Sequence, residues 1–437
     1  MHLPHDDDAR TSAEKDYLVP PAQAWFAFAM TFGLMLFDYI DRQVIVSLFP
    51  FMKADWALSD KQLGGLVSVI SVVVALGGLP VALIADRVSR VKSVVVMATA
   101  WSFASISCMF ASSYGALFAA RAVVGAGEAG YGSVGAALIA SLFPRRLRST
   151  LLGAFFAAAS LGSVLGVLLG GMIAARWGWK TAFGVVGVPG LALALLYIFV
   201  RDYKTVDIHG ATQSGTQLSL RLLVSRTFRA LAGTRTLVWA CVGAAMQLIV
   251  VSSIWSWLPS FLNRYHGVPA DHAGQKAAIV VLAGAVGSLF WGALVERLAK
   301  GQARLRLLIV SALCLLSMVI FLAAFGLLSA SPLQFVLILL GGFTMVCTVG
   351  PISAVVFDVI HPAVRSTGGA VLSLAQNLLG LAVGPFLSGW LSDLWSLQTA
   401  LAIVPLFSVL AAAAFLRATL SYEADMRLVS GIRVSAE

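Results

Sequence analysis

The sequence predicts an all-α membrane protein, with twelve transmembrane helices in two pseudo-symmetric six-helix bundles. Three observations predict it. Apolar residues make up 59% of the 437-residue chain and charged residues only 11%, against roughly 45–50% and 25% in soluble globular domains. That balance cannot cover the surface of a soluble fold, and it is far too apolar for a disordered chain. The apolar residues also fall into twelve runs near the ~20 residues needed to cross a bilayer. Finally, short motifs recur half a chain apart. The 40 glycines follow no collagen-like period, and apolar residues on every helix face exclude a coiled coil.

Punctuation by Pro, Gly and charge delimits the runs. Spans 1–6 are expected at 22–49, 62–85, 93–112, 115–142, 150–175 and 181–201. Spans 7–12 are expected at 236–262, 275–297, 306–329, 332–360, 367–391 and 397–418. Barrel strands would alternate apolar and polar residues, and these runs do not. The corresponding domains are a tail (1–21), a first bundle (22–201), a connector (202–235), a second bundle (236–418) and a second tail (419–437).

Orientation follows from the basic residues, because loops on the cytoplasmic side collect Lys and Arg. With the N-terminus inside, 22 of the 30 fall on the cytoplasmic side. Six lie opposite, namely Lys53, Lys61, Arg176, Lys180, Arg264 and Lys276; Arg42 and Arg121 sit within spans. Both termini are therefore expected in the cytoplasm, with the chain in the cell membrane. The acidic start MHLPHDDDAR lacks the basic flank of a signal peptide. In the connector, LRLLVSRTFRALAG places arginines on one face and apolar residues on the other, as an interfacial helix on an anionic leaflet does.

The halves echo one another. GALVER (292–297) matches VALIADR (81–87) at an offset of 210, and RSTGGAV (365–371) matches RSTLLGA (148–154) at 217. Repeated bundles imply a binding site between the halves, as in many transporters.

Five ionisable residues fall inside spans 1 and 4: Asp38, Asp41, Arg42, Arg121 and Glu128. Each costs roughly 2.5–3.5 kcal/mol at mid-bilayer, so together they rival a typical net folding stability of about 5–15 kcal/mol. Arg121 and Glu128 are two helical turns apart and share a face. Asp38 neighbours Asp41 and Arg42 at three and four residues. A network that only glues the two helices is one reading. The preferred reading is a proton switch beside a site for an anionic head group: three acids against two cations leave one acid without a full partner. Asp41 is the candidate proton carrier, with Arg42, Arg121 and Glu128 exchanging partners as it titrates; Asp38 lines the pore or pairs with Arg42.

The second half has no such charge at its helix centres. Its polar candidates are Gln247, Ser252, Ser253, Trp255, Trp257, Thr344, Thr348, Gln376 and Asn377, each also suited to helix packing. The asymmetry suggests an amphipathic substrate, its head near Tyr39, Arg42 and Arg121 and its tail near Trp255, Gln376 and Asn377. Asp86 ends span 2, and the exposed N–H groups starting span 11 at Arg365 would attract it. Glu296 would mirror it near Arg148. Each such latch is worth about 1–2 kcal/mol, enough to bias a two-state rocker.

These motifs resemble those of the major facilitator superfamily. Asp86, Arg87 and Arg90 stand where its motif A has them, with Ala82 and Ser89 replacing two glycines; Gly292, Glu296, Arg297 and Lys300 form a second copy. Arg121, Gly125 and Gly127 are similar to its motif B. The glycines Gly153, Gly162, Gly166, Gly170 and Gly171 match the spacing of its antiporter motif C, with Val167 where a proline is usual. Within the superfamily, Asp38-Tyr39-Ile40-Asp41-Arg42 and Arg121 through Gly125, Gly127, Glu128, Ala129, Gly130 and Tyr131 resemble the Spinster branch of sphingolipid and lysophospholipid transporters. Asp38 replaces an Asn and Gly130 a Ser. The resemblance implies the major facilitator fold and alternating access, and spans 1 and 4 lining the cavity. It also implies proton coupling through the same charged positions, in a transporter and not an enzyme.

Several signals carry no chemistry. Gly125 to Gly130 fits G-x-G-x-x-G but lies mid-span, without the strand and helix start a dinucleotide needs. The six histidines form no ligand pair, there is no Walker sequence, and Ser133 near Glu128 is a weak nucleophile–base pairing. Cys108, Cys241, Cys314 and Cys347 fill apolar runs without ligand spacing. No cofactor or metal is expected. The expected partners are membrane lipids, a small amphipathic substrate and protons, with no nucleic acid, and the chain acting as a monomer.

Overall fold

The computed structural model describes residues 17–202, 233–300, 302–360 and 365–430. The amphipathic connector segment from 203 to 232 lies outside the described residues. Among the described residues there are helices and turns and no strands.

Among the described residues, twelve helical stretches are long and apolar enough to cross a membrane, the first at Pro21–Ser47 and the last at Leu397–Arg427. They coincide one for one with the spans read from sequence. Short polar signals start many of them. Ser89, Ser113, Ser331 and Ser396 each accept a backbone N–H from the residue three positions on, capping helix starts that would otherwise hold free donors. Pro20, Pro144 and Pro269 precede others, where the missing N–H costs nothing.

Several details depart from uninterrupted spans. Span 1 is followed by a further short helix, Phe49–Trp56. Spans 9 and 11 contain widened π-type turns at Ala323–Leu327 and Gln376–Leu381. The last helix, Phe407–Ser430, continues well beyond 418, because Asp425 accepts the Thr236 N–H at 2.8 Å and Ser421 bonds the Thr236 hydroxyl at 2.9 Å. The helical extension thereby caps span 7 where the connector ends.

The chain divides into two compact units. One comprises Met1–Leu48 with Leu76–Asp207, the other Phe49–Ala75 with Ile208–Glu437. The division falls inside the helix Asp60–Arg87. In the second unit, a core of Leu237, Ala244, Val310, Cys314, Cys347 and Phe415 sits among spans 7, 9, 10 and 12. All four cysteines are free and buried.

Candidate functional site

The fourth span is broken at its middle. The helix Tyr114–Glu128 stops, Gly130 adopts a left-handed conformation (φ 81°), and a second helix runs Tyr131–Leu142. Glycine takes that backbone conformation without a Cβ clash. One turn earlier, a Cβ on Gly127 would collide with the backbone of Trp101, so glycine lets spans 3 and 4 touch. The break leaves Glu128 at the C-terminal end of a half-helix, where the backbone dipole is negative. Tyr131 opens the next half-helix and donates its hydroxyl to the Thr31 carbonyl at 2.7 Å, tying span 4 to span 1.

The five intramembrane charges gather in the first unit. Arg121 Nη1 lies 3.2 Å from Asp41 Oδ2, and both its terminal nitrogens reach the Asp41 backbone carbonyl at 3.4–3.5 Å. Ser105 of span 3 stands beside the same carboxylate. Arg42 Nε donates to Asp38 Oδ1 at 3.1 Å and stands 3.0 Å from Glu128 Oε2. The second distance is ionic contact without a hydrogen bond: neither Glu128 oxygen receives one. Asp38 and Glu128 therefore meet at one nitrogen, Arg42 Nε. Rings cover the cations, Tyr39 lying 5.3 Å from Arg42 and Phe183 5.7 Å from Arg121. Exposure separates the two arginines. The Arg121 side chain is 0% exposed and that of Arg42 17%.

Small residues in span 5 position span 1. A Cβ on Gly162, Gly166 or Gly170 would strike the carbonyl oxygens of Leu36, Ile40 and Val44 respectively. Three glycines at four-residue spacing thus let span 5 lie directly on the helix that carries Asp38, Asp41 and Arg42. Ser47 adds a hydrogen bond to the Val167 carbonyl at 2.7 Å. Gly153 has open space around it, and Gly171 is buried.

In the second unit the polar residues separate into two groups. Gln247 is fully engaged, donating to the Met345 carbonyl at 3.0 Å and to Ser317 at 3.4 Å and accepting from Ser408 at 2.9 Å. Trp257 donates to the Pro385 carbonyl at 3.0 Å. These are helix-packing contacts. Trp255 is half-buried with an indole N–H that has no partner. Gln376 and Asn377 are half-buried in the π-type turn of span 11, a distortion frequent at functional sites.

Of the residues expected to form the latches, Arg90 bonds Ser141 at 3.0 Å and Arg148 bonds the Phe143 carbonyl at 2.8 Å, both within the first unit. Glu296 pairs with Arg306 at 2.7 Å, which also holds Asp358 at 3.0 Å; Arg297 is exposed. Asp86, Arg87 and Arg365 lie in helices, and their side-chain positions lie outside the described residues.

One cluster escaped the sequence reading. Buried Asp60, at the start of span 2, receives Arg264 through both terminal nitrogens at 2.6 and 2.7 Å, Lys53 at 2.6 Å and Ser392 at 2.5 Å. Asp393 accepts the backbone N–H groups of Asp60 and Lys61 at 2.8 Å each. All these residues belong to the second unit. Lys53, Lys61 and Arg264 are legible in the sequence as basic residues outside the span centres, whereas the acid that joins two of them is not, because its partners come from separate segments.

Twelve apolar spans, with buried ion pairs seated on a broken helix, define a multi-pass membrane protein built to move a solute. The Major Facilitator Superfamily model matches residues 31–381, and the chain belongs to that family of transporters. Several of its relatives are proteins of the Spinster branch. Protein spinster homolog 3 of Danio rerio is 25% identical over 404 residues, covering 88% of this chain and 80% of the relative. The Danio rerio sphingosine-1-phosphate transporter SPNS2 is 25% identical over 428 residues, covering 91% and 84%. An MFS-type efflux pump of Mycolicibacterium smegmatis is 28% identical over 437 residues, covering 94% and 92%. Among solved structures, a bacterial homologue of the human lysosomal transporter Spinster, inward-facing and unoccupied, superposes with a TM-score of 0.81 at 22% identity. The superposition covers 93% of this chain and 99% of that one.

Proposed function

We propose that the chain is a proton-coupled secondary active transporter of an amphipathic lipid of the lysophospholipid or sphingolipid type, working by rocker-switch alternating access in the cell membrane with both termini cytoplasmic. The observation that carries this reading is the buried cluster of Asp38, Asp41, Arg42, Arg121 and Glu128, in which three acids face two cations. Asp41 is the switch. Protonating it removes the counter-charge of Arg121, which then turns to an anionic head group first met by Arg42. Trp255, Gln376 and Asn377 serve the rest of the substrate. Asp86, Arg87, Arg90 and Arg365, with Glu296, Arg297 and Arg148 as the mirror set, latch the cytoplasmic side. The glycine spacing of span 5 supports exchange of substrate against protons, and the chain works as a monomer. The lipid class draws on the sphingosine-1-phosphate transporter among the relatives.

The test is uptake of sphingosine-1-phosphate and lysophospholipids into proteoliposomes under an imposed pH gradient. Wild type responds to the gradient and Asp41→Asn does not; equal uptake with and without a gradient overturns proton coupling. The efflux-pump relative supports a second reading, export of drugs or small organic anions by the same machinery. Drug transport without lipid transport in the same vesicles selects it.

A further inference from the structure

The cluster holds more acid than its cations balance, and its geometry says where the excess sits. Asp41 and Arg121 form a one-to-one pair, with the guanidinium bonded to both the carboxylate and the carbonyl of one residue. The other two acids share one nitrogen, Arg42 Nε, which donates to Asp38 and only approaches Glu128. Glu128 is buried to 2% exposure and accepts no hydrogen bond at either oxygen. It also ends a half-helix, where the backbone presents its negative pole. A bare carboxylate there has burial, the dipole and a neighbouring acid all against it, and two carboxyls sharing a site do not both ionise.

Among the described residues the surroundings offer no third cation. Span 1 contributes Tyr39, Asp41 and Arg42, and span 4 contributes Arg121 and Tyr131. Span 3 brings Ser105 and Cys108, and span 6 brings Tyr197 through Tyr131. Span 5 has no charged residue between Arg148 and Arg176.

Resting on the reading of this cluster as a proton switch, we propose that Asp38 and Glu128 share one resident proton beside Arg42, at a site separate from Asp41. The proton closes a hydrogen bond between the two carboxyls, and the singly charged pair then balances Arg42 as Asp41 balances Arg121. The whole cluster is neutral in this state. Asp41 is thereby relieved of carrying the excess proton and titrates against Arg121 alone.

Infrared spectroscopy of the purified protein in lipid nanodiscs at neutral pH tests this through the carbonyl stretch of protonated carboxyl groups. Wild type carries a component of that band that Asp38→Asn and Glu128→Gln each abolish, since either change leaves one carboxylate for Arg42 and no proton to share. Asp41→Asn retains it. Survival of the component in Asp38→Asn or in Glu128→Gln, or its loss in Asp41→Asn, overturns the proposal. Two variants guard against misfolding of either. Failure here is distinguishable from failure of the transport reading: a pH-gradient response lost in Asp41→Asn upholds the switch whatever the band does, and the band can behave as described in a protein that ignores the gradient.

Discussion

Arg264 grips Asp60 with both terminal nitrogens, at 2.6 and 2.7 Å, and the carboxylate it holds is 3% exposed while the guanidinium is 25% exposed. A two-pronged pair of this kind is stronger and more specific than a single contact. Removing one partner of a buried pair costs about 3–5 kcal/mol, and the partial exposure of Arg264 brings the expectation here to about 2 kcal/mol. Arg264→Ala should therefore lower the thermal midpoint in detergent clearly, whereas Lys53→Ala should change it little, because Lys53 is 40% exposed and such pairs contribute under about 1 kcal/mol. Equal shifts for the two variants would refute this ranking.

The glycine stripe of span 5 makes a sharper comparison, since its members differ in what surrounds them. Gly166→Ala would push a methyl group into the Ile40 carbonyl and the Gln43 side chain, forcing span 1 away from span 5. Overpacking of this kind costs about 1–3 kcal/mol. Gly153→Ala meets open space and should remain within about 0.5 kcal/mol of wild type. Fluorescence-detected size exclusion after a heat ramp ranks the two. A Gly166→Ala protein as stable as Gly153→Ala would mean that the spans are not held by this contact.

The span positions were legible because a bilayer fixes the length of an apolar run, so hydropathy alone locates them. The break after Glu128 was not. Gly125 to Gly130 reads as close packing within an uninterrupted apolar stretch, and only the left-handed Gly130 reveals that the helix stops there. The five intramembrane charges announced themselves through their cost, but their partners did not. Asp41 meets Arg121 across 80 residues of sequence, and helical spacing predicts only the Asp38–Arg42 contact. Asp60 is silent in the sequence for a related reason: at a helix end it carries no insertion penalty, and its partners come from three separate segments.

Gln247 shows how a polar residue in a span can be wholly structural. Its amide satisfies the Met345 carbonyl and hydroxyls on spans 9 and 12, and nothing of it is left over for a ligand. Gln247→Leu should cost about 1–3 kcal/mol of stability through the partners it strands. The Michaelis constant for transported lipid, measured in proteoliposomes, should stay unchanged. A raised Michaelis constant at unchanged stability would place Gln247 in the substrate path instead.

Arg42 should behave in the opposite way. It is the more exposed of the two intramembrane cations, and its Nε is divided between two acids; the proposed function has it meet the anionic head group. Arg42→Ala should weaken binding of a lipid with a phosphate head by about 10-fold or more, the equivalent of at least about 1.4 kcal/mol. The same lipid with an uncharged head should be bound equally by variant and wild type, because its tail contacts are untouched. Tryptophan-fluorescence titration of both lipids against both proteins separates the two effects. Arg42→Lys refines the result: a lysine keeps the charge but loses the planar fork that suits phosphate, so its affinity for the phosphate lipid should fall between the other two. An Arg42→Ala protein that binds both lipids as wild type does would remove the anionic head group from the mechanism.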